Sequence, residues 1–388
     1  MAQNFKMLAK CFYGFEPVLA RELRNLGAGN VKEGIRIVSF EGDTGFMYKA
    51  NLCLRTALRI LKPVAAFTIR HENDLYKKIL EFPWEKHLDP DQSLAIDSVL
   101  KSDTFTHSLY ISQKAKDAIA DRFRKKFGRR PSVDTDSPDL RIHIHIQQQQ
   151  CQISLDSSGK SLYQRGYRTA TNIAPINEVL AAGLLLMSGW DGRTNFLDPM
   201  CGSGTFLIEA AMIACNIPPN INRSEFGFQS WKDYDEVLFQ KITTASLNKT
   251  RDFPHQILGY DKAPSAVNKA KSNIENANLT DYIEVERQNF FHSEKRSRGP
   301  LHMVFNPPYG ERLNIEMEQF YKQIGDTLKQ GYPGTQAWMI TANMEALKHV
   351  GLRTSRKIKV FNGRLEARLV QYEIYEGTRK SKHQKTTS

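Results

Sequence analysis

One short motif in the second half of the chain carries the groups needed to present a planar amine for attack. Asn306-Pro307-Pro308-Tyr309 directly follows an apolar segment, residues 303–305. The nitrogen of such an amine has its lone pair delocalised into the ring, and two acceptors that hold its hydrogens expose that lone pair. The Asn306 side-chain oxygen and the Pro307 carbonyl can be these acceptors, Pro308 stiffens the turn, and Tyr309 offers a face for stacking. We therefore predict that Asn306, Pro307, Pro308 and Tyr309 form a catalytic site.

A glycine-rich turn upstream indicates a cofactor site. In residues 198–205 (DPMCGSGT), the glycines let the backbone approach a ligand closely, and the start of the following helix favours an anionic group. A dinucleotide site would have glycine where Leu207 stands, and a P-loop would have a lysine after its last glycine. An acid before such a turn instead suits a zwitterion such as S-adenosylmethionine (SAM), whose ammonium group Asp198 could hold.

A second carboxylate, Asp261, ends the next predicted strand, where it can take both hydroxyls of a ribose. It lies 63 residues after Asp198, whereas a dinucleotide fold separates the equivalent positions by about 20. The excess indicates an insertion over residues 216–254. The sequence leaves three roles open for this insertion: a lid, an element that contacts RNA, or a purely structural excursion.

Strands alternate with helices through the second half of the chain, which predicts a doubly wound parallel α/β sheet that carries both motifs at strand ends. The predicted strands cover residues 195–198, 256–261, 282–287, 301–306 and 337–342. The predicted helices cover residues 205–215, 264–277, 315–329 and 344–350. Asn362-Gly363, between residues 357–361 and 365–375, predicts a type I′ hairpin that adds an antiparallel edge.

The first third of the chain is denser in short mixed elements and predicts small α+β modules. The predicted helices cover residues 15–26, 46–58, 73–80 and 108–127. The predicted strands cover residues 34–40, 64–70, 94–100, 140–146 and 151–156. The pattern changes at residues 157–160 (SSGK), which we interpret as the junction between the two halves.

Composition places the chain among globular proteins. Its 388 residues are 40% hydrophobic and 25% charged, which excludes collagen-like and wholly disordered chains. The longest apolar run, residues 179–187, is far shorter than the roughly 18 residues of a membrane helix. The first residues carry no secretory signal pattern, so we expect a cytoplasmic protein. Five cysteines without a C-x-x-C pair argue against a disulfide framework and a zinc site.

The net charge of +12 favours a polyanionic partner, nucleic acid first. Basic residues concentrate over residues 114–130, where only Asp117 and Asp121 oppose them within the segment. One interpretation is a solvated helix face, and the other is a surface that contacts RNA phosphates. The second interpretation predicts RNA binding by Lys116, Arg122, Arg124, Lys125, Lys126, Arg129 and Arg130.

The glycine turn and the Asn-Pro-Pro-Tyr motif resemble motifs I and IV of class I SAM-dependent amino-methyltransferases. More specifically, the chain is similar to the THUMP-domain RNA guanine-N2 methyltransferases of the RlmL type, which act on 23S ribosomal RNA. The stretches that carry this resemblance are residues 165–168 (RGYR), 174–178 (APINE), 196–209, 306–313 and 362–366 (NGRLE). In the first half the resemblance rests on the order of elements, with residues 112–131 as the basic helix of the THUMP domain.

The resemblance implies a domain order and a cofactor site. It implies a ferredoxin-like module over residues 1–55, a THUMP RNA-binding domain over 56–158, a Rossmann-like class I methyltransferase domain with a seven-stranded sheet over 159–378, and a basic disordered tail over 379–388. SAM would be bound by Asp198, Met200, Cys201, Gly202 and Gly204, with its ribose on Asp261. Asn289 and Phe290 stand where the family has an acidic–aromatic pair that contacts adenine. The amide of Asn289 can accept a hydrogen bond there but carries no charge.

Together these features predict a SAM-dependent methyltransferase that modifies the exocyclic N2 amine of a guanine in structured RNA and needs no metal. Other acceptors stay open at this point: a guanine of transfer RNA, the N6 amine of adenine in DNA, or a glutamine amide of a protein. The remaining alternative is an RNA-binding assembly factor without activity.

Overall fold

The computed structural model describes residues 3–169, 176–308 and 316–376. These residues cluster into two compact units, and neither unit is a continuous stretch of chain. The first unit contains Met1–Cys11, Leu19–Gln164 and Arg223–Ala245, and the second contains Phe12–Val18, Arg165–Asn222 and Ser246–Ser388. The helices of the described residues are α1 (Glu16–Leu26), α2 (Thr44–Cys53), α3 (Glu72–Glu81), α4 (Ser108–Phe127), α5 (Glu178–Met187), α6 (Thr205–Ala214), α7 (Glu236–Leu247), α8 (Pro264–Asn276) and α9 (Met317–Gly331).

The first unit is built on one sheet of eight strands. These strands are β1 (Phe5–Lys10), β2 (Gly29–Glu33), β3 (Ile37–Gly42), β4 (Arg59–Thr68), β5 (Ser93–Lys101), β6 (Ser132–Val133), β7 (Leu140–Gln147) and β8 (Gln150–Asp156). They lie in the order β2-β3-β1-β4-β8-β7-β5-β6. Because β4 pairs with β1 on one side and with β8 on the other, the predicted ferredoxin-like and THUMP modules share a single sheet.

Local sequence signals explain where the helices of this unit begin and end. α4 confirms the predicted amphipathic helix, with Ile111, Ala115 and Phe123 buried, and it ends at Gly128, whose φ of 72° lies in the left-handed region. The prediction of a helix over residues 46–58 was wrong at both ends. α2 starts earlier because Asp43 caps it, and it ends earlier because Leu54 is extended.

The second unit contains the predicted doubly wound sheet. Its strands are β9 (Asn195–Asp198), β10 (Ile257–Asp261), β11 (Ile283–Arg287), β12 (Leu301–Phe305), β13 (Thr335–Thr341), β14 (Arg356–Asn362) and β15 (Leu365–Ile374). They lie in the order β11-β10-β9-β12-β13-β15-β14, and β15 runs antiparallel to both of its neighbours. The seven-stranded Rossmann-like sheet and its antiparallel edge are thereby confirmed. The predicted type I′ turn at Asn362-Gly363 was wrong: Asn362 pairs with Leu365 in the ladder, so the turn residues are Gly363 and Arg364, of which only Gly363 has a positive φ, 64°. The predicted helix over residues 344–350 is instead a short 3-10 turn, Ala346–Val350.

Most of the predicted insertion belongs to the first unit rather than to this sheet. The Phe228 ring stacks on Tyr48 with centroids 4.4 Å apart, and the Asp235 N–H donates to the Tyr48 hydroxyl over 3.0 Å. The Phe228 N–H donates to the Ser157 carbonyl, also over 3.0 Å. Residues 223–245 are therefore a structural part of the first unit, although they lie between β9 and β10 in the sequence.

Helix α5 packs too closely inside the second unit to accept a side chain at Gly183. A Cβ built on Gly183 would lie 1.9 Å from Cε2 of Phe15, far inside van der Waals contact. Glycine in a helix interior is otherwise unfavourable by about 1 kcal/mol relative to alanine. The close packing of the Phe15 ring therefore decides the residue type at this position.

We expect Gly183→Ala to lower the free energy of unfolding, although alanine is the better helix former. Overpacking a well-filled core costs about 1–3 kcal/mol, which exceeds the propensity gain of about 1 kcal/mol. Urea unfolding followed by circular dichroism measures the difference. The double variant Gly183→Ala/Phe15→Leu is the control, because a smaller residue at position 15 should recover part of the loss. A single variant more stable than the original chain would contradict the packing argument.

Candidate active site

Parallel pairing brings the predicted site residues to one edge of the second sheet. β10, β9 and β12 are neighbours that run in the same direction, with Gly259 opposite Asp198 and Met303 opposite Leu197. Their carboxyl ends therefore lie side by side: Asp261 is the last residue of β10, Asp198 is the last residue of β9, and Asn306 directly follows β12. In open α/β sheets, ligands bind in the crevice outside these strand ends. The fold thus brings together two motifs that are separated by about a hundred residues in the sequence.

The glycine turn is fixed to β10 by its backbone. The Cys201 N–H donates to the Tyr260 carbonyl over 2.9 Å, and the Gly202 N–H donates to Asp261 Oδ2 over 3.0 Å. Gly202 and Gly204 have φ angles of 56° and 82°, in the left-handed region that favours glycine. Gly204 also lets the turn pack closely on α8, because a Cβ built there would lie 3.3 Å from the Ala270 Cβ.

Asp261 is held in one orientation by two backbone donors. Its Oδ2 accepts the Gly202 N–H, and its Oδ1 accepts the Ala263 N–H over 2.9 Å. An ionised carboxylate has about four acceptor sites, so lone pairs are left for further donors. Asp261 can therefore accept from a pair of hydroxyls while its own position stays fixed.

Asp198 is a buried carboxylate that favours a cation beside it. Its side chain is 1% exposed, and Oδ1 accepts the Met200 N–H over 3.1 Å. Burial raises the pKa of Asp198 well above its ordinary value, and the nearby Asp261 carboxylate raises it further. A positive group in contact with Asp198 would stabilise its charged form. This environment suits the ammonium group assigned to it by the sequence.

Cys201 serves the packing of the turn. A Cβ built on Gly259 would lie 3.2 Å from Cys201 Sγ and 2.3 Å from Leu207 Cδ1, so the thiol fills the space above a strand glycine. Burial raises the pKa of Cys201 well above its ordinary value, so the thiol stays protonated at neutral pH. Its predicted contact with a cofactor stays a prediction, as does that of the half-buried Met200.

Asn306 carries a buried acceptor without a donor. Its Oδ1 is buried, and among the described residues no donor reaches it. An unsatisfied buried acceptor costs roughly 1–3 kcal/mol, which a ligand N–H would recover. Pro307 is buried and Pro308 is half-buried beside it. Tyr309, the fourth residue of the predicted catalytic motif, lies outside the described residues.

Asn289 and Phe290 follow β11, next to the Asp261 strand end. The Asn289 side-chain oxygen accepts the Phe291 N–H over 3.1 Å and caps the short 3-10 turn Phe290–His292. Phe290 is 3% exposed and packs in the core, 5.6 Å from the Tyr332 ring. Both residues lie at the predicted strand end, and their contact with a cofactor stays a prediction.

Two side chains that support the glycine turn were not predicted from the sequence. Arg168 donates to Glu178 Oε1 over 2.7 Å and to Thr205 Oγ1 at the start of α6 over 2.9 Å. Asn273 on α8 accepts the Thr169 N–H over 3.1 Å and donates to the Ser203 carbonyl over 3.0 Å. Arg168 stands in a stretch that matches the resembled family, but nothing local in the sequence pointed to Asn273.

A buried ion pair that includes Glu209 of α6 fixes this helix in the core. Arg165 and Glu209 are both 0% exposed, with Nε 3.3 Å from Oε1. The Tyr167 hydroxyl donates to the same oxygen over 3.1 Å, and Arg165 Nη1 donates to Asn220 Oδ1 over 3.0 Å. Burial raises the pKa of Tyr167 well above its ordinary value, so it remains a donor. The helix that begins at the glycine turn is thus fixed by charge inside the core.

These groups fit the head, ribose and methyl acceptor of a SAM-dependent reaction. Asp198 suits an ammonium, Asp261 suits two hydroxyls, and the open Asn306 oxygen suits an amine hydrogen. Among the described residues, no group of three His, Cys, Asp or Glu side chains could hold a metal ion, and all five cysteines are free thiols. No helix in the described ranges is long and apolar enough to cross a bilayer.

The predicted RNA-binding residues of α4 are more neutralised than their sequence indicates. Glu85 accepts from Arg122 through both carboxylate oxygens at 2.8 Å and from Lys126 at 2.7 Å, and Arg122 holds the pKa of Glu85 well below its ordinary value. The other ion pairs are Lys116 with Asp117, Arg124 with Asp121 and Arg129 with Asp91. Lys125 and Arg130 are exposed, and within the described ranges they have no carboxylate partner. Within the predicted set, the charges of these two are the ones that no carboxylate of the described ranges offsets, and their contact with phosphate stays a prediction.

A seven-stranded sheet in this order, with an acid-flanked glycine turn after one central strand and Asn-Pro-Pro after its neighbour, defines a Rossmann-like class I methyltransferase. The chain belongs to the RMKL-like methyltransferase family, whose domain model matches residues 165–371. A THUMP domain model matches residues 70–156, and an RlmL ferredoxin-like domain model matches residues 6–61.

Individual relatives agree with this assignment. A protein of Synechocystis named "Putative RNA methyltransferase" is 39% identical over 365 residues, which cover 93% of this chain and 95% of that protein. The "Ribosomal RNA large subunit methyltransferase K/L" of Syntrophotalea carbinolica is 37% identical over 389 residues, covering 97% of this chain and 54% of its own length. The chain thus spans about half the length of the K/L relatives. The crystal structure of "a putative methyltransferase complexed with SAH" (S-adenosylhomocysteine) superposes with a TM-score of 0.86 at 30% identity, covering 97% of this chain and 100% of that one.

We expect Arg165→Leu to destabilise the second unit strongly, because it leaves the Glu209 carboxylate buried without its cation. Breaking a buried pair from one side costs about 3–5 kcal/mol. Urea unfolding measures the change in the free energy of unfolding. The double variant Arg165→Leu/Glu209→Gln removes the stranded charge and should recover much of the loss. Equal losses in the single and double variants would show that the charge is not the cause.

Proposed function

We propose that the protein is a SAM-dependent methyltransferase that modifies the exocyclic N2 amine of a guanine in structured RNA, with 23S ribosomal RNA as the substrate. The observation that carries this proposal is the buried Asn306 oxygen without a donor, one strand away from the Asp198 carboxylate. The THUMP match and the ribosomal RNA methyltransferase relatives support RNA as the acceptor.

The geometry of the turn supports the proposed cofactor-binding roles. SAM supplies an electrophilic methyl group on a positively charged sulfur. Asp198 would hold the ammonium of its amino-acid end, and Asp261, already fixed by two backbone N–H groups, would hold the ribose hydroxyls. Gly202 would offer the ligand a backbone surface, whereas Gly204 lets the turn pack closely on Ala270 of α8. Arg168 and Asn273 keep that surface in place.

Asn306 and Pro307 act on the amine. Their two carbonyl oxygens would accept its hydrogens and thereby orient its lone pair toward the methyl carbon. As the nitrogen–carbon bond forms, the carbon–sulfur bond would break, S-adenosylhomocysteine would leave and one amine proton would pass to solvent. The acceptors are preorganised because Pro307 and Pro308 restrict the backbone, and such positioning contributes much of the rate. The guanine must leave its stack to reach the site, at a cost of a few kcal/mol. Tyr309 is the residue we propose to stack on the extruded base.

The assay for this function uses radiolabelled SAM and total ribosomal RNA from cells that lack the gene. Digestion to nucleosides and mass spectrometry should find the label in N2-methylguanosine. Duplex DNA, transfer RNA and a glutamine-containing protein fraction are run in parallel. Label in N6-methyladenine or in a glutamine amide would replace the proposal with one of the other amine acceptors. Binding of RNA without any transfer would favour an assembly factor.

We expect Asn306→Ala to lower kcat by roughly 100-fold while the Kd for RNA stays within about a factor of two. The reason is that one preorganised polar contact to the reacting group is typically worth a factor of about 10²–10³. Asn306→Asp is the matched control, because it keeps a side-chain acceptor and should retain more activity than the alanine variant. Parallel loss of RNA affinity and kcat would contradict the role assigned to Asn306.

The two unpaired cations of the α4 region should contact phosphate, whereas the paired Arg122 should not. Lys125→Ala/Arg130→Ala is expected to flatten the dependence of log K on log salt by about 1 for each phosphate that is no longer neutralised. Arg122→Gln should instead lower the melting temperature, because Glu85 loses a partner, and leave the salt dependence unchanged. Filter binding over a salt series measures the slopes. An unchanged slope in the double variant would show that Lys125 and Arg130 do not contact phosphate and that this surface is a solvated helix face.

A further inference from the structure

The first unit contains a cleft that the proposed methyl transfer does not use. It measures about 90 Å³ and is lined by Lys62 on β4, Lys86 and His87 after α3, Leu155 on β8, and Trp231, Lys232 and Asp233 from the segment that interrupts the methyltransferase sequence. The segment, β4 and α3 all belong to the first unit. Part of the cleft lining therefore comes from the predicted insertion, for which the sequence did not decide between a lid, an RNA-contacting element and a structural segment.

Positive charge exceeds negative charge around the cleft. The Lys62 Nζ lies 4.7 Å from the centroid of the Phe5 ring and 5.6 Å from that of the Trp231 ring. The same Nζ is 3.5 Å from Oδ2 of Asp233. Asp233 is 66% exposed, so this contact is a weak surface pair. Lys86 is exposed, and within the described ranges no carboxylate pairs with it.

Lys232 and His87 complete the polar lining. Lys232 Nζ is 2.6 Å from Asp89 Oδ1 and donates to the Glu85 carbonyl over 3.0 Å, which fixes its direction. Burial and the neighbouring Lys62 lower the pKa of His87, with Lys86 and Lys232 adding to the effect and Asp233 opposing it. Three ammonium groups thus face two carboxylates, and the imidazole is neutral at physiological pH.

Trp231 provides an observation independent of the charges. Its side chain lines the cleft, is 7% exposed, and has a buried Nε1–H for which the described residues offer no acceptor. A buried donor without a partner costs roughly 1–3 kcal/mol. Trp84 and Trp190 each donate to a main-chain carbonyl, over 2.8 Å and 3.1 Å, whereas Trp338 on β13, which does not line the cleft, also has a buried Nε1–H without an acceptor among the described residues. The Trp231 indole N–H therefore lacks a hydrogen-bond acceptor, and it lies in a cleft that is also lined by lysines.

We propose that this cleft binds a phosphate group, with Lys62, Lys86 and Lys232 as its cationic contacts and the Trp231 indole as a neutral donor. We assign the phosphate to the backbone of a single-stranded part of the RNA, a choice that rests on the proposed RNA substrate. On this assignment, residues 223–245 extend the RNA-contacting surface of the first unit. Free phosphate offers the same chemistry, and the experiment separates the two sources.

The test follows the indole N–H resonances of the whole chain labelled with ¹⁵N-tryptophan. The protein has four tryptophans, and Trp231→Phe identifies the resonance of interest while the other three report that the variant is folded. A short single-stranded RNA oligonucleotide and inorganic phosphate are titrated separately. We expect the oligonucleotide to shift the Trp231 resonance saturably at concentrations where inorganic phosphate has no effect. An equal response to inorganic phosphate would overturn the RNA assignment, and no response to either would overturn the site.

Lys86→Ala supplies the second readout, because Lys86 is exposed and its removal leaves the core intact. It should reduce the slope of log K against log salt for the oligonucleotide by about 0.7, the value for one contact to a single strand. Lys32→Ala is the matched control, since Lys32 is an exposed lysine on β2, at the far edge of the same sheet. Equal slopes for the two variants would overturn the proposal. Both readouts measure binding, so they distinguish this site from a failure of methyl transfer.

Discussion

Parallel pairing of β9 with both β10 and β12 is the constraint on which the site depends. It places the Asp198, Asp261 and Asn306 strand ends at one edge, although these residues come from distant parts of the chain. The pairing also sets the distance between a buried carboxylate and an unsatisfied amide oxygen, which no local motif can do. A shift of one residue in either pairing would turn these side chains to the other face of the sheet.

Three polar side chains near the strand ends fix the position of the glycine turn. Asp261 accepts from the turn, Arg168 donates to the threonine at the start of α6, and Asn273 bridges the turn to Thr169. The buried Arg165–Glu209 pair then holds α6 itself. Supporting contacts of this kind keep ligand-binding groups in place when the ligand is absent.

The sequence predicted what depends on periodicity and on contiguous motifs. The alternation of strands and helices and the glycine turn were sufficient for the seven-stranded sheet, and Asn362-Gly363 located the final hairpin but not its turn residues. Contacts between distant residues were not predictable. Arg122 looked like a phosphate ligand because its partner, Glu85, lies 37 residues away, and the segment around Phe228 looked like an insertion because Tyr48 is far earlier in the chain. Asn273 gave no signal, because an asparagine in a helix has many possible roles.

The interleaving of the two units has a consequence for synthesis of the protein. Residues 12–18 pack with the second unit, and residues 223–245 pack with the first. On the ribosome, the amino-terminal half therefore cannot reach its final packing until residue 245 has emerged, by which time β9 and α6 are already outside the exit tunnel. Neither half of the chain contains a complete unit: truncation at residue 164 would remove from the first unit the segment that carries Phe228 and Trp231. A truncation that keeps either unit intact must therefore preserve that exchange of segments.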